Sequence, residues 1–446
     1  MSQTRAATDV LVTRTMRKAR ETKVRTVAAG LIAAVAAFMA TIIAINLKGG
    51  EKLVRYQLEH RLDVSTPDFL RTMGSLLGPQ ILGGNEIAAY QNGDQIFPPM
   101  LEAIQAAQKT ITFETYIYWE GEIGRKFLEA LCERARNKVK VHVLIDWVGA
   151  DRIDKAYFEQ MRAAGVEFER FHPPRWYNLS KLNNRTHRKL LVVDGKIGFT
   201  GGVGIADDWL GNADQKDRWR DSHYRIRGPA VAQMQAVFND NWIKARAQVL
   251  YGPDYFPGLE PVGESLAQVF HSSKGQGSES VRLMYLLSIA SAKKHIRLSA
   301  SYFVPDSLAI DTFVAARKRG VKVEIIVAGE NTDAQAVRSA GRSRWAELLA
   351  AGVEIYEYQP ARYHCKVMIV DDIWVSVGST NFDDRSFRQN DEANLNIYGA
   401  DFAAEQAVFF DQDRENSKLI RIEDFKNRPL MTKIKDRIAS AFGSQL

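Results

Sequence analysis

The chain has 446 residues, 46% hydrophobic and 25% charged. That is enough apolar material for two globular domains, and it excludes a disordered or low-complexity protein. The net charge of +7 would suit a nucleic-acid binder, but residues 1–25 hold seven basic side chains against Asp9 and Glu21, which leaves only +2 for the rest; a nearly neutral body argues against a nucleic-acid partner.

The basic tail, residues 1–25, runs into an uncharged stretch from Thr26 to Ile45. At about 1.5 Å per residue such a helix spans roughly 30 Å, the thickness of a bilayer's hydrocarbon core. A transmembrane helix over 26–46 is expected. A signal peptide cleaved after Ala34-Val35-Ala36 is the rival, but the apolar run continues nine residues beyond that site. The positive-inside rule puts the tail in the cytoplasm and the rest on the far side of the membrane. Residues 47–80, punctuated by Gly49-Gly50, Pro67 and Gly78-Pro79, read as a connector.

From residue 81 strands and helices alternate. Asn92-Gly93 marks a turn, and Phe97-Pro98-Pro99 opens a helix to Gln108. Thr110–Tyr118 reads as a strand, Glu122–Arg136 as a helix, Val139–Asp146 as a strand, Asp154–Ala164 as a helix and Val166–Phe171 as a strand. An aromatic and basic insert follows, with Trp176, Tyr177 and Leu179 beside Arg175 and Lys181. It suits either contact with lipid headgroups or packing on its own domain. Next comes His187-Arg188-Lys189-Leu190-Leu191-Val192-Val193-Asp194. On a strand, His187 and Lys189 project to one face while aliphatic neighbours enter the core. Asp194-Gly195 is a turn signal before a return strand over 197–200.

The order then repeats. Ser291–Tyr302 answers the first strand, Ser307–Arg319 its helix, and Gly320–Ala328 the strand Val139–Asp146. Ala163-Ala164-Gly165-Val166-Glu167 recurs as Ala350-Ala351-Gly352-Val353-Glu354, and a second motif stands at His364-Cys365-Lys366-Val367-Met368-Ile369-Val370-Asp371. The chain is therefore read as an internal duplication, with an α/β domain over 81–265 and another over 266–446. Each motif leads to a glycine pair or Gly-Ser at the same distance, Gly201-Gly202 and Gly378-Ser379, and the second adds Asn381.

The two copies of HxKxxxxD followed by G(G/S) resemble the phospholipase D superfamily. That resemblance covers about residues 81–446 and implies two tandem layered α/β/α domains with mixed sheets, arranged about a pseudo-twofold axis. It also implies one site where the two motifs meet. One histidine attacks phosphorus to form a phosphohistidine, and the other protonates the departing alcohol; by analogy His187 is the nucleophile and His364 the general acid. Lys189 and Lys366, with Asn381, Ser379, Gly201 and Gly202, would hold phosphate oxygens, so neither metal nor cofactor is expected. An acid downstream of each motif, Asp221 and Glu392, would orient an imidazole, or stand as a solvated strand-edge charge. Asp194 and Asp371 complete the motifs, with chemistry or turn stabilisation open to each. Gly204 stands where the superfamily usually has asparagine.

Within the superfamily, Glu114-Thr115-Tyr116-Ile117-Tyr118, Ser301-Tyr302-Phe303-Val304-Pro305, Asn381-Phe382-Asp383-Asp384-Arg385-Ser386 and Arg220-Asp221-Ser222-His223 are similar to bacterial cardiolipin synthases. The implied reaction moves a phosphatidyl group between phosphatidylglycerol molecules at a bilayer. A hydrolytic phospholipase D is the alternative, a nuclease less so. Cys132 and Cys365 are read as packing residues. Near the end, Leu430, Ile434, Ile438 and Phe442 share a helical face, for packing on the body or for lying on anionic lipid.

Overall fold

The computed structural model describes residues 16, 20, 22–41, 58–173, 184–273 and 280–441. The chain forms two compact units, Met1–Leu53 and Val54–Leu446. The first contains a helix, Thr22–Thr41, long and apolar enough to cross a membrane. It begins four residues earlier than expected, and residues 42–46 lie outside those described, as do Trp176, Tyr177 and Leu179 of the insert.

Among the described residues, the second unit is built on a fifteen-stranded mixed sheet and a separate two-stranded one. Its first half contributes β1 (Leu82–Gln91), β2 (Thr110–Thr115), β3 (Lys140–Asp146), β4 (Glu167–Phe171), β5 (Leu190–Val193), β6 (Ile197–Gly201), a short β7 (Trp219–Arg220) and β8 (Ser222–Arg227). The second half contributes β9 (Ser265–Ser272), β10 (His295–Ala300), β11 (Lys322–Ala328), β12 (Glu354–Tyr358), a short β13 (Arg362–Tyr363), β14 (Lys366–Val370), β15 (Trp374–Gly378), β16 (Glu392–Tyr398) and β17 (Ser417–Leu419). The order β17-β12-β11-β10-β14-β15-β16-β9-β1-β8-β6-β5-β2-β3-β4 reads the same from either end apart from the added β17. The duplication is thus visible as a sheet with a centre, where β1 and β9 pair antiparallel. Asn85 secures that join: its buried amide donates to Leu82 O and Ser265 O and accepts from Ala230 N.

Parallel β2-β3-β4 and β10-β11-β12 arise from helical crossovers. Asp154 caps the crossover helix Lys155–Ala164 by accepting from Ala156 N, and Gly165, at φ 93°, ends it in the left-handed conformation. Alternation along β5 sends Leu191 and Val193 into the core of the first half's outer face. Leu190 and Val192 enter a core that also takes Val367, Ile369, Val375 and Ile397 from the second half. That shared core is what prevents the halves from acting as separate domains.

Two expectations fail. Residues 64–77 are not a connector: Val64, Phe69, Met73 and Leu77 are buried in the second half's core, where Phe69 meets the Trp374 ring edge-on at 5.1 Å. The amphipathic pattern there was a real core face. Nor is Asn92-Gly93 a simple turn. A helix runs Asn92–Ala106 with Pro98 and Pro99 inside it, and Gly93 lies so close to Trp209 O that a Cβ would collide at 2.0 Å.

Candidate active site at the seam between the halves

Each motif histidine sits just before its strand, β5 or β14, where the chain crosses to the other half. His187 N donates to Asp391 O and Asp391 N to Arg185 O, both at 2.8 Å. In the matching place β13 pairs with β7, and His364 N donates to Arg220 O at 2.8 Å. The side chains follow the backbone. His187 Nδ1 lies 3.0 and 3.1 Å from the Glu392 carboxylate oxygens, and His364 Nδ1 lies 2.7 Å from Asp221 Oδ2. Each imidazole is thus held by the carboxylate of the opposite half, a crossing that the linear order of the motifs does not reveal. Neither acid is a solvated edge charge, since both are fully buried. With Nδ1 engaged, Nε2 is the atom left for other partners.

Around them lies a cavity of about 180 Å³ lined by both halves, including His187, Lys189, His364 and Asn381. Tyr116 meets His187 edge-on at 5.2 Å; stacked Trp209 and Trp219 meet His364 at 5.6 and 4.8 Å. Lys189 Nζ and Lys366 Nζ each donate to the carbonyl of their own motif's histidine, at 2.8 and 2.6 Å. This fixes two ammonium groups and leaves each with further protons to donate. Asn381 Oδ1 is buried without a hydrogen-bond partner, as are Ser386 Oγ and Asn390 Oδ1 on the same wall.

Burial dominates the electrostatics. It pushes His187 down to about 4, helped by Lys189 and Lys366 and opposed by Glu392. Burial and Lys366 also lower His364, against Asp221. Lys189 is pushed down to about 7 by burial, with Glu392 opposing and Lys366 assisting. Burial alone would raise Asp221 and Glu392, but the adjoining imidazole and lysine hold both below the usual carboxylate range.

Not every motif residue reaches the cavity. Asp194 accepts from Gln108 N, Lys109 N and Thr110 N, and Asp371 from Lys293 N, Lys294 N and His295 N. They stand at the far end of the motif strands, outside the cavity lining. Each ties the end of its strand to the start of the neighbouring one, which corrects their grouping with the reacting groups. Gly201 and Gly202 do not line the cavity either. Gly202 N donates to Ser222 O, and a Cβ there would fall 2.1 Å from Asp221 Oδ1, so glycine is needed to admit the carboxylate rather than a phosphate. Ser379, its counterpart, donates to Glu392 Oε2 at 2.5 Å and fixes that acid.

Gly204 does line the cavity, opposite Asn381 in the repeat. A Cβ on it would lie 2.8 Å from Ile117 Cβ and 3.2 Å from Trp209 Cη2. Trp209 occupies the room an asparagine would take, and its Nε1 donates to Asp221 Oδ2 at 2.9 Å. The departure is therefore an exchange of one polar contact for a tryptophan that braces Asp221, the acid of its own half. Sequence reasoning missed Arg185, Trp209, Trp219 and Asp333 of the lining. Arginine stands two residues before both histidines, Arg185 and Arg362, a repeat signal that was available.

The seam has two further braces. Arg188, between His187 and Lys189 and fully buried, donates to Val237 O, Asp240 and Glu392 O. Arg220 Nε pairs with Asp413 Oδ1 at 2.8 Å, and Tyr363 donates to Asp413 Oδ2 at 3.1 Å.

A duplicated α/β fold with one motif histidine from each half lining the same cavity is the architecture of the phospholipase D superfamily. The chain matches the family described as cardiolipin synthase, PLD-like domain, over residues 100–242 and 285–414. It is 36% identical to the cardiolipin synthase of Geobacillus kaustophilus over 80% of this chain and 71% of that one. It is 34% identical to cardiolipin synthase 2 of Bacillus anthracis over 78% and 68%. The solved structure of phosphatidylserine synthase from Haemophilus influenzae superimposes with a TM-score of 0.66 over 85% of this chain and 100% of that one; at 15% identity it carries the fold alone. The chain belongs to the cardiolipin synthase family of phospholipase D-like proteins, and as such is a phosphatidyltransferase acting on phospholipids.

Proposed function

We propose that the protein is a membrane-anchored cardiolipin synthase that transfers a phosphatidyl group from one phosphatidylglycerol to another. The observation that carries this reading is the crossed pair of imidazole–carboxylate contacts at one cavity that Lys189 also lines, with Lys366 fixed on the His364 carbonyl. Nε2 of His187 attacks phosphorus, the bond from phosphorus to the glycerol oxygen breaks, and His364 delivers a proton to that oxygen as glycerol leaves. His364, now neutral, takes the proton from a hydroxyl of the second phosphatidylglycerol; its oxygen attacks phosphorus and frees His187. Lys189, Lys366 and Asn381 hold the non-bridging oxygens.

Burial disfavours the charged form of both imidazoles. The phosphodiester's negative charge offsets the two ammonium groups and raises the imidazoles again, so the proton needed by His364 is taken up with substrate. The unpartnered Asn381 Oδ1, Ser386 Oγ and Asn390 Oδ1 offer acceptors to a hydroxyl-rich alcohol such as glycerol. The apolar helix Thr22–Thr41 would hold the enzyme at its substrate, the basic tail cytoplasmic and the body on the far side of a bacterial inner membrane. Nucleic acid is not expected to bind the body.

The test is purified protein with phosphatidylglycerol vesicles and EDTA, products resolved by mass spectrometry. Cardiolipin and glycerol in equal amounts, lost in His187→Ala and His364→Ala, support the reading. Phosphatidic acid alone means a hydrolase, and DNA cleavage without lipid turnover means a different substrate class.

A further inference from the structure

The last described helix, Leu430–Ala441, is attached to the body by its polar side. It packs on the helix Gln335–Arg342, and its Asp436 is 3% exposed, accepting from Arg428 Nη1 at 2.9 Å. Thr432 and Ala439, partly buried, share that inner side. The opposite side is apolar and open: Leu430 is 71% exposed, Met431 74%, Ile434 42% and Ile438 60%. At about 100° per residue these four cover an arc of roughly 100°, opposite Asp436. An amphipathic helix of a water-soluble body turns such a stripe inward. Here it is turned out.

The charges around the stripe say what meets it. Lys433 and Arg437 border one edge and Lys435 the other, all exposed, and the helix's single acid, Asp436, is buried behind it. A second copy of the chain docking stripe to stripe would bring like charges together. We propose that this face lies in the headgroup layer of an anionic bilayer, with Leu430, Met431, Ile434 and Ile438 below the phosphates and the three cations among them. This contact is separate from the helix Thr22–Thr41 and independent of the chemistry assigned to the histidines.

Because the N-terminal helix would hold the chain on vesicles in any case, the readout must be local. The full chain carrying Ile438→Cys, labelled with an environment-sensitive dye, is reconstituted into vesicles of phosphatidylglycerol and phosphatidylcholine or of phosphatidylcholine alone; both native cysteines are buried. Blue-shifted emission, quenched by nitroxide-bearing lipid only in the anionic vesicles, is expected. Adding Lys433→Gln, Lys435→Gln and Arg437→Gln should reduce the ratio of docked to undocked helix by about 100-fold, with an unchanged melting temperature. Emission equal to that of free dye in both vesicles would overturn the proposal. So would a blue shift that follows protein density rather than lipid charge, which would mark self-association. His187→Ala in the same assay should dock normally; its docking would stand even if the proposed reaction failed.

Discussion

Glu392→Gln is the sharpest probe of the crossed arrangement. Glu392 is fully buried and meets His187 Nδ1 at 3.0 and 3.1 Å while accepting from Ser379 Oγ at 2.5 Å, so no solvent replaces its charge. A hydrogen bond to a buried charge contributes about 1.5–3 kcal/mol, which at 1.36 kcal/mol per decade is roughly a 10- to 150-fold loss in kcat. KM for the phospholipid substrate should change little, since Glu392 does not line the cavity. Asp221→Asn should lower kcat similarly through His364, and a phosphatidyl ester with a good leaving group separates the two. Such a substrate needs no proton on its leaving oxygen, so Asp221→Asn should recover in the first half-reaction, measured as the burst of leaving group, and Glu392→Gln should not. A Glu392→Gln enzyme within about threefold of the parent would refute the orienting role; recovery of Glu392→Gln alone would exchange the roles of the histidines.

Other outcomes follow from the same geometry. Lys189, held near 7 by burial, is charged below that pH and neutral above it, so kcat/KM should fall as pH rises through about 7, and Lys189→Arg should flatten that limb in a pH–rate profile. Glu114 is pushed up to about 7 by burial, above an ordinary 4.5. The unfolded chain ionises first, so stability is lost as pH rises from 4.5 to 7, by roughly 3 kcal/mol; denaturant titrations should show that Glu114→Gln lacks this loss. Asp413→Asn strands the buried Arg220 cation and should cost about 3–5 kcal/mol, read as a lower unfolding midpoint. Gly204→Asn, which restores the residue usual in the superfamily, should lower stability by about 1–3 kcal/mol because Ile117 and Trp209 fill its space, and a thermal melt reads it directly.

Much of this molecule was legible in the sequence because repetition is a strong signal. The short aliphatic runs after His187 and His364 specify strands, the Ala-Ala-Gly-Val-Glu repeat marks equivalent helix ends, and the duplication follows. What could not be read was which parts of the two copies touch. Asp221 and Glu392 were recognisable as acids, but their partners depend on the chain crossing the seam at Arg185 and Arg362, a long-range pairing with no local signature. Gly201 and Gly202 looked like a phosphate cradle, because a glycine making room for a carboxylate reads the same as one making room for a ligand. Phe69 and Met73 were set aside with a connector since their partners, such as Trp374, lie some three hundred residues later.

The crossed contacts also order events in time. As the chain emerges from the ribosome, His187 and Lys189 are made long before Glu392, Ser379 and Asp413. Until those late residues dock, the first imidazole has no carboxylate on Nδ1 and the seam has no buried Arg220–Asp413 brace. A truncated or half-folded product therefore holds reactive residue types without the arrangement that makes them useful. Assembly of the site reports that the second half has folded onto the first, and the His187 side of the site is incomplete until then.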